Sequence, residues 1–192
     1  MPKENGDKAR RTCQTCGFID YENPKVVCST VATFSEGGEG DISTYFLLVK
    51  RSIEPSKHFW CLPGGFLEMG ETIVEGLKRE AREEAKAKIS QSELLAVYNL
   101  PKVGQVQLVY DSRLTSKEVE AGDESEEVGL FAWEKIPWHE LAFPTVSWAL
   151  MHYEIKRKCW LPQSNTKNSS ALNKPTLCFS NPEVNDSNLF WS

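Results

Sequence analysis

The sequence predicts an α/β protein, an α/β/α sandwich in which a mixed β-sheet lies between helices. Three observations predict it. Strand-like runs rich in Val, Thr and aromatic residues recur at Val26–Phe34, Thr44–Lys50, Leu94–Leu100, Gln105–Leu114 and Val128–Trp133. An amphipathic helix is predicted over about Thr72–Lys88, and two further helical stretches, Trp138–Leu141 and Thr145–Lys158, follow the last strand. Strands interleaved with one-sided helices pack as layers around a shared sheet.

Residues 1–12 are polar and are expected to be disordered. Cys13-Gln14-Thr15-Cys16-Gly17 follows, with the spacing of one zinc knuckle; a structural Zn²⁺ needs four ligands, and no second Cys-x-x-Cys follows. Between the first two strands, Gly37–Asp41 reads as an exposed turn. Phe59-Trp60-Cys61-Leu62 leads into a glycine-rich turn, Leu62-Pro63-Gly64-Gly65, where backbone can approach a ligand closely. Thr72 and Glu75 form a capping-box pattern that starts the helix, and Val74, Leu77, Ala81 and Ala85 line its apolar stripe. From about Leu161 the composition shifts to Ser, Asn, Thr, Lys and Pro and hydrophobic periodicity ends. The expected organisation is therefore a start segment at 1–24, one domain at 25–158 and a disordered tail at 159–192. Leu189-Phe190-Trp191 could dock weakly, although an end without a role is the simpler reading.

A chain of 192 residues with 40% hydrophobic residues suits one packed domain plus appendages. Residues 26–155 carry 12 Lys and Arg against 21 Asp and Glu, a net −9, whereas residues 156–192 carry a net +3. So acidic a core will not bind nucleic acid through a phosphate-neutralising surface; it fits an enzyme that recruits cations, and phosphates through them. No apolar run approaches a membrane span and no signal peptide is visible. A soluble, cytoplasmic protein is expected; an organelle stays open, although no Arg/Ser-rich transit segment precedes Cys13. Of the six cysteines, Cys28 and Cys61 read as buried thiols, Cys159 and Cys178 carry no site-like spacing, and a disulfide framework is not expected.

The chemistry concentrates between Gly65 and Ala87. Glu80, Glu83 and Glu84 stand at i, i+3 and i+4, on one helix face beside the apolar stripe and Gly76. Three carboxylates held so close are costly unless a cation sits among them, and a hard ion such as Mg²⁺ or Mn²⁺ takes such oxygen ligands. A solvated surface face is the alternative. The run Gly65, Glu71, Arg79, Glu80, Ala81, Glu83, Glu84 resembles the Nudix hydrolase signature, G-x5-E-x7-R-E-U-x-E-E-x-G-U with U aliphatic, at every charged position. Lys86 replaces the late glycine and Ala87 the last aliphatic residue, which leaves the helix end undefined.

That resemblance implies the Nudix fold and water attack on a phosphorus of a nucleoside diphosphate linked to a second moiety. It implies Glu80, Glu83 and Glu84 as metal ligands, with a carbonyl of Gly64 or Gly65, and Arg79 paired to Glu71 as a brace. Family members often add a distant glutamate; the run Asp123-Glu124-Ser125-Glu126-Glu127 fits, with Glu127 favoured and Glu124 second. Cys13–Gly17 followed by Asp20–Val27 is similar to the second half of the zinc ribbon before some Nudix domains. The first half would lie upstream of Met1, so Zn²⁺ at Cys13 and Cys16 is left open between a degenerate ribbon and an ion shared by two chains. Ile53–Glu68 and Ala142–Val146 resemble the group acting on FAD and ADP-ribose, which implies FAD hydrolysis to FMN and AMP, then ADP-ribose, then NADH. Phe59, Trp60 and Tyr98 are candidate stacking faces for a ring, with core packing as the alternative. His58 could contact phosphate, but it, His139 and His152 are assigned to packing. A homodimer is expected, as for related enzymes. A non-catalytic nucleotide sensor and an adaptor acting through knuckle and tail are the rival readings.

Overall fold

A computed structural model of the chain describes residues 10–36 and 43–160. The expected disorder of 1–9 and 161–192, the 37–41 turn, Cys178 and the Leu189–Trp191 element lie outside the described residues. Two short strands, β1 (Arg11–Thr12) and β2 (Ile19–Asp20), form a separate antiparallel ribbon. The main sheet comprises β3 (Lys25–Glu36), β4 (Ser43–Arg51), β5 (Trp60–Cys61), β6 (Gly64–Phe66), β7 (Ile89–Leu100), β8 (Gln105–Leu114) and β9 (Ser125–Ala132). Its path runs β5-β4-β3-β8-β7, with β6 on β3 and β9 on β4. The β3–β8 pair is parallel and the other pairs antiparallel, so the sheet is mixed.

Strand alternation divides the core in two. Cys28, Ala32, Leu47 and Val49 face one way and pack with Leu77, Ala81 and Ala85 of α1 (Ile73–Ala85). Val31, Phe46, Leu48 and Val109 face the other way and meet Val146, Ala149, Leu150 and Tyr153 of α2 (Pro144–Trp160). The predicted α/β/α layering is present, with one long helix on each face.

The capping box forms: the Glu75 amide donates to Thr72 Oγ1, and the Thr72 amide donates to Glu75 Oε2. At the other end the helix stops earlier than predicted. Lys86 adopts a left-handed backbone at φ 51°, and its N–H and that of Ala87 donate to the carbonyls of Arg82 and Ala81. The Lys86–Arg82 bond is the 5→1 bond of an αL cap, a position that glycine usually occupies. Lys86 here takes the left-handed conformation in its place.

Other departures have local causes. Strand β7 starts at Ile89, five residues before the predicted run, because irregularities between Ser90 and Glu93 and between Leu94 and Ala96 break the period-two signal. Strand β9 extends back to Ser125 through polar residues, and Trp138–Glu140 is a 3₁₀ turn. Residues Arg11–Thr12 pair as a strand instead of lying in a disordered start, and α2 continues to Trp160, two residues into the expected tail. Cys13 and Cys16 sit exposed in the β1–β2 turn, and among the described residues no third ligand joins them, so no zinc-binding group is present there. Cys28 is buried and Cys61 half-buried; burial pushes their thiols up to about 11 and about 12.

Lys86→Gly should stabilise the protein by about 0.5–1 kcal/mol, because glycine takes a positive φ without steric cost. Urea unfolding of the two proteins checks this. A fall in midpoint would mean that the Lys86 side chain, not the backbone, holds the turn.

Candidate active site

Three segments converge beside α1: the turn into β6, the end of β4, and the loop before β9. Arg79 is the hub. Its five N–H donors are all used: Nε and Nη2 clamp Glu71 at 3.0 and 2.8 Å, and Nη1 reaches Glu80 at 2.7 Å and Glu83 at 3.2 Å. Nη2 also donates to the Phe66 carbonyl at 3.1 Å. The helix is thereby tied to the β6 turn. The Glu68 amide completes the Glu71 contact at 2.7 Å. The Arg79 bond first, and that amide second, hold the Glu71 carboxyl down at about 2.

Glu80 and Glu84 are in a different situation. Burial raises Glu80 despite the Arg79 bond, and the charges of Glu83 and Glu124 add to the rise. Burial pushes Glu84 up to about 8, opposed by the Gly64 amide, which donates to its Oε2 at 2.9 Å. Gly65 lies close under Glu80: a Cβ there would sit 2.4 Å from Glu80 Oε1 and would displace that carboxylate.

The loop glutamates are placed differently. Val128 and Leu130 pack on the α1 side and Glu127 turns to the other, but the register shifts at the Arg51–Ser125 pair. Glu126 and Glu124 are therefore placed by their own contacts: Glu126 bonds His58, and the Glu124 carbonyl, in the turn before β9, accepts from the Ser52 amide at 3.1 Å. Glu127 pairs with Lys50 at 3.7 Å across the β4–β9 register, and Lys50 in turn lies over the Trp60 ring. Of the loop glutamates, Glu124, the second choice of the sequence reading, has its charge acting on both Glu80 and Glu84, whereas the favoured Glu127 is turned toward Lys50. Arg51 and Glu126 were not singled out by sequence reasoning. The Arg51 charge lowers Glu84, and its guanidinium lies 5.3 Å from the Phe143 ring centre. The signal was available: Arg51 shares parity with Leu47 and Val49.

Of the stacking candidates, Phe59 is 43% exposed, but Trp60 and Tyr98 are core residues and are corrected accordingly. Trp60 packs edge-on to Phe131, and Tyr98 is enclosed by Trp148 and bonded to His152 Nδ1 at 2.7 Å. Burial lowers the His152 pKa, in keeping with a packing role. His139 is exposed and His58 does not pack.

As the side chains stand, no three acidic, His or Cys groups among the described residues are close enough together to hold a metal ion. Arg79 holds Glu80 and Glu83 from one side, and Gly64 holds Glu84. The donor chemistry still fits a hard divalent cation. All the donors are oxygens, and buried Glu84 has one hydrogen bond, from a main-chain N–H, with the charge of Arg51 as a smaller support.

The Nudix domain family model matches residues 26–154, which span this whole arrangement. The chain belongs to the Nudix family. Nudix hydrolases generally use Mg²⁺ or Mn²⁺ and act on nucleotide-linked substrates. The chain is 36% identical over 101 residues to the ADP-ribose pyrophosphatase of Methanocaldococcus jannaschii, covering 50% of this chain and 59% of that one. It is 35% identical over 91 residues to the NAD-capped RNA hydrolase NudC of Deinococcus radiodurans, covering 47% and 30%. The matches thus span less than two thirds of either relative. Among solved structures, a Nudix hydrolase from Nitrosomonas europaea superposes with a TM-score of 0.71 at 38% identity, covering 81% of this chain and 84% of that one. No helix among the described residues is long and apolar enough to cross a membrane.

A carboxyl raised from 4.5 to about 8 favours the folded state while protonated, so the metal-free Nudix domain should lose stability as pH rises through that range. Binding Mn²⁺ should release a proton at pH 6.5 and almost none above pH 9, because the cation needs the carboxylate. Calorimetric titration in buffers of different ionisation enthalpy measures the release, and Glu84→Gln should abolish it. Equal release from that variant would place the proton elsewhere.

Proposed function

We propose that this protein is a divalent-metal-dependent pyrophosphatase that cleaves the diphosphate of an ADP-linked small molecule, with FAD and ADP-ribose as its candidate substrates. The carrying observation is the complete set: Arg79, Glu80, Glu83 and Glu84 on α1, with Glu71 just before the helix clamped by Arg79 and Glu84 buried. Non-catalytic binding would not need all of these carboxylates.

A cation held by Glu80, Glu83 and Glu84, with a carbonyl of Gly64 or Gly65, would neutralise diphosphate oxygens and polarise water. The chain's own contribution is positioning. Arg79 and Glu71 lock the turn to the helix, and the Gly64 amide orients Glu84. Glu124 is assigned as the loop carboxylate that orients and deprotonates the attacking water, since its charge reaches Glu80 and Glu84. Arg51 supplies positive charge on the same side, and Phe59 is the exposed ring on which a base or flavin would stack.

FAD rests on the resemblance of Ile53–Glu68 and Ala142–Val146 to that substrate group. ADP-ribose is supported by the name of the archaeal relative. Purified protein should be offered FAD, ADP-ribose, NADH, a nucleotide sugar and NAD-capped RNA, each with Mg²⁺ or Mn²⁺; its mass in solution would test the expected homodimer. Release of AMP from FAD or ADP-ribose is expected to be fastest. Tight binding without hydrolysis of any of them would leave a nucleotide sensor as the function.

Glu124→Gln should lower turnover by about 10²–10⁴-fold, the usual worth of a positioned general base, while Glu127→Gln stays within about threefold. Steady-state kinetics on the faster substrate decide between them, and the reverse pattern would return the role to Glu127.

A further inference from the structure

His58 occupies a position that its residue type does not favour. Its φ is 71° and that of Ser56 is 61°, both left-handed, in a loop without glycine between Ile53 and Phe59. Such strain persists only where the surroundings enforce it, and it clusters at functional sites. Here the enforcement is visible. The His58 amide donates to the Arg51 carbonyl at 2.9 Å, and the Arg51 amide donates to the Phe59 carbonyl at 3.0 Å. Arg51 Nε reaches the Pro55 carbonyl at 2.8 Å, and Ser56 Oγ reaches the Ala142 carbonyl at 3.1 Å.

The ring is held as firmly as the backbone. His58 Nδ1 lies 2.8 Å from Glu126 Oε2, while 64% of the side chain remains exposed. An ionised carboxylate only accepts, so Nδ1 is a donor to Glu126, and in the tautomer with this single ring proton Nε2 is the acceptor. Among the described residues Nε2 has no partner. Glu126 lies two residues from Glu124, whose carbonyl accepts from the amide of Ser52 at 3.1 Å, and Arg51, which anchors His58, acts on Glu84. An oriented, unpaired acceptor therefore stands on the rim of the carboxylate site.

We propose that His58, fixed by Glu126, is a substrate-positioning residue whose Nε2 accepts a hydrogen bond from a sugar-type hydroxyl of the bound substrate. This rests on the pyrophosphatase reading above and narrows its substrate class. Both the ribose of ADP-ribose and the ribityl chain of FAD carry such hydroxyls, and a carboxylate-rich rim offers them few other neutral acceptors. His58 accepts no proton in the reaction; it selects and orients.

The test compares His58→Gly, His58→Phe and Glu126→Ala with the parent protein at pH 8, using the faster of ADP-ribose and FAD. His58→Gly should raise KM about three- to tenfold, the worth of one hydrogen bond, with kcat within about twofold. Its Tm should not fall, because glycine suits the left-handed backbone. His58→Phe keeps the ring and should lose as much as His58→Gly. Glu126→Ala should raise KM too, and adding it to His58→Gly should cost nothing more. Unchanged KM in His58→Gly overturns the proposal. So does a wild-type KM in His58→Phe, which would make ring shape the cause, or a KM change that appears only with a lowered Tm. If the parent protein hydrolyses nothing, the pyrophosphatase reading fails instead. The Kd of ADP-ribose for the same variants then tests His58 by itself, with equal affinities counting against it.

Discussion

The site depends on one guanidinium. Arg79 spends all five donors on groups that come from three places: Glu71 at the foot of the turn, the Phe66 carbonyl in β6, and Glu80 and Glu83 on its own helix. A lysine could not do this, since a single ammonium cannot make a bidentate clamp and still reach two further carboxylates. The planar fork sets the distance between the β6 turn and α1, and it offsets like-charge repulsion along the helix. Burial raises Glu80 even with the Arg79 bond, and it pushes Glu84, which Arg79 does not touch, up to about 8.

Strand parity decides which remote residues take part. In β4, Leu47 and Val49 pack under α1, so Arg51 faces the carboxylates and Lys50 does not. In β9, Val128 and Leu130 share that face while Glu127 lies across from Lys50. At Ser125 the register shifts, which leaves Glu126 outside the pairing and free to reach His58. Glu124 lies in the turn before β9, where its carbonyl accepts from the Ser52 amide.

Much of this was legible in the sequence. The helix stripe, the capping box and the spacing of Arg79, Glu80, Glu83 and Glu84 are local signals, and the structure places them where local physics predicts. Nonlocal facts were harder to read. Trp60 and Tyr98 carry the aromatic character of a binding face, but their burial is fixed by Phe131, Trp148 and His152, distant in sequence. The acidic run from Asp123 to Glu127 announces itself by composition, yet its division needs the exact start of β9. His58 looked like a packing residue because a positive φ leaves no trace in the residue type when glycine is absent.

The end of α1 connects these scales. An αL turn at Lys86 stops the helix abruptly and leaves the carbonyls of Glu84 and Ala85 without helical partners. The loop before β9 supplies them: the Glu120 amide donates to Ala85 and the Gly122 amide to Glu84, each at 2.9 Å. The approach is so close that a Cβ on Gly122 would sit 1.6 Å from the Glu83 carbonyl oxygen, so only glycine lets the loop dock. Two residues later comes Glu124, delivered to the carboxylates by backbone bonds to the same residue, Glu84, whose side chain it acts on. Had the helix run on to Lys88, the Glu84 and Ala85 carbonyls would have been used within it. The loop would then have no such anchor. A backbone conformation at one residue outside the charged cluster thus frees the carbonyls that hold the loop carrying Glu124 against α1.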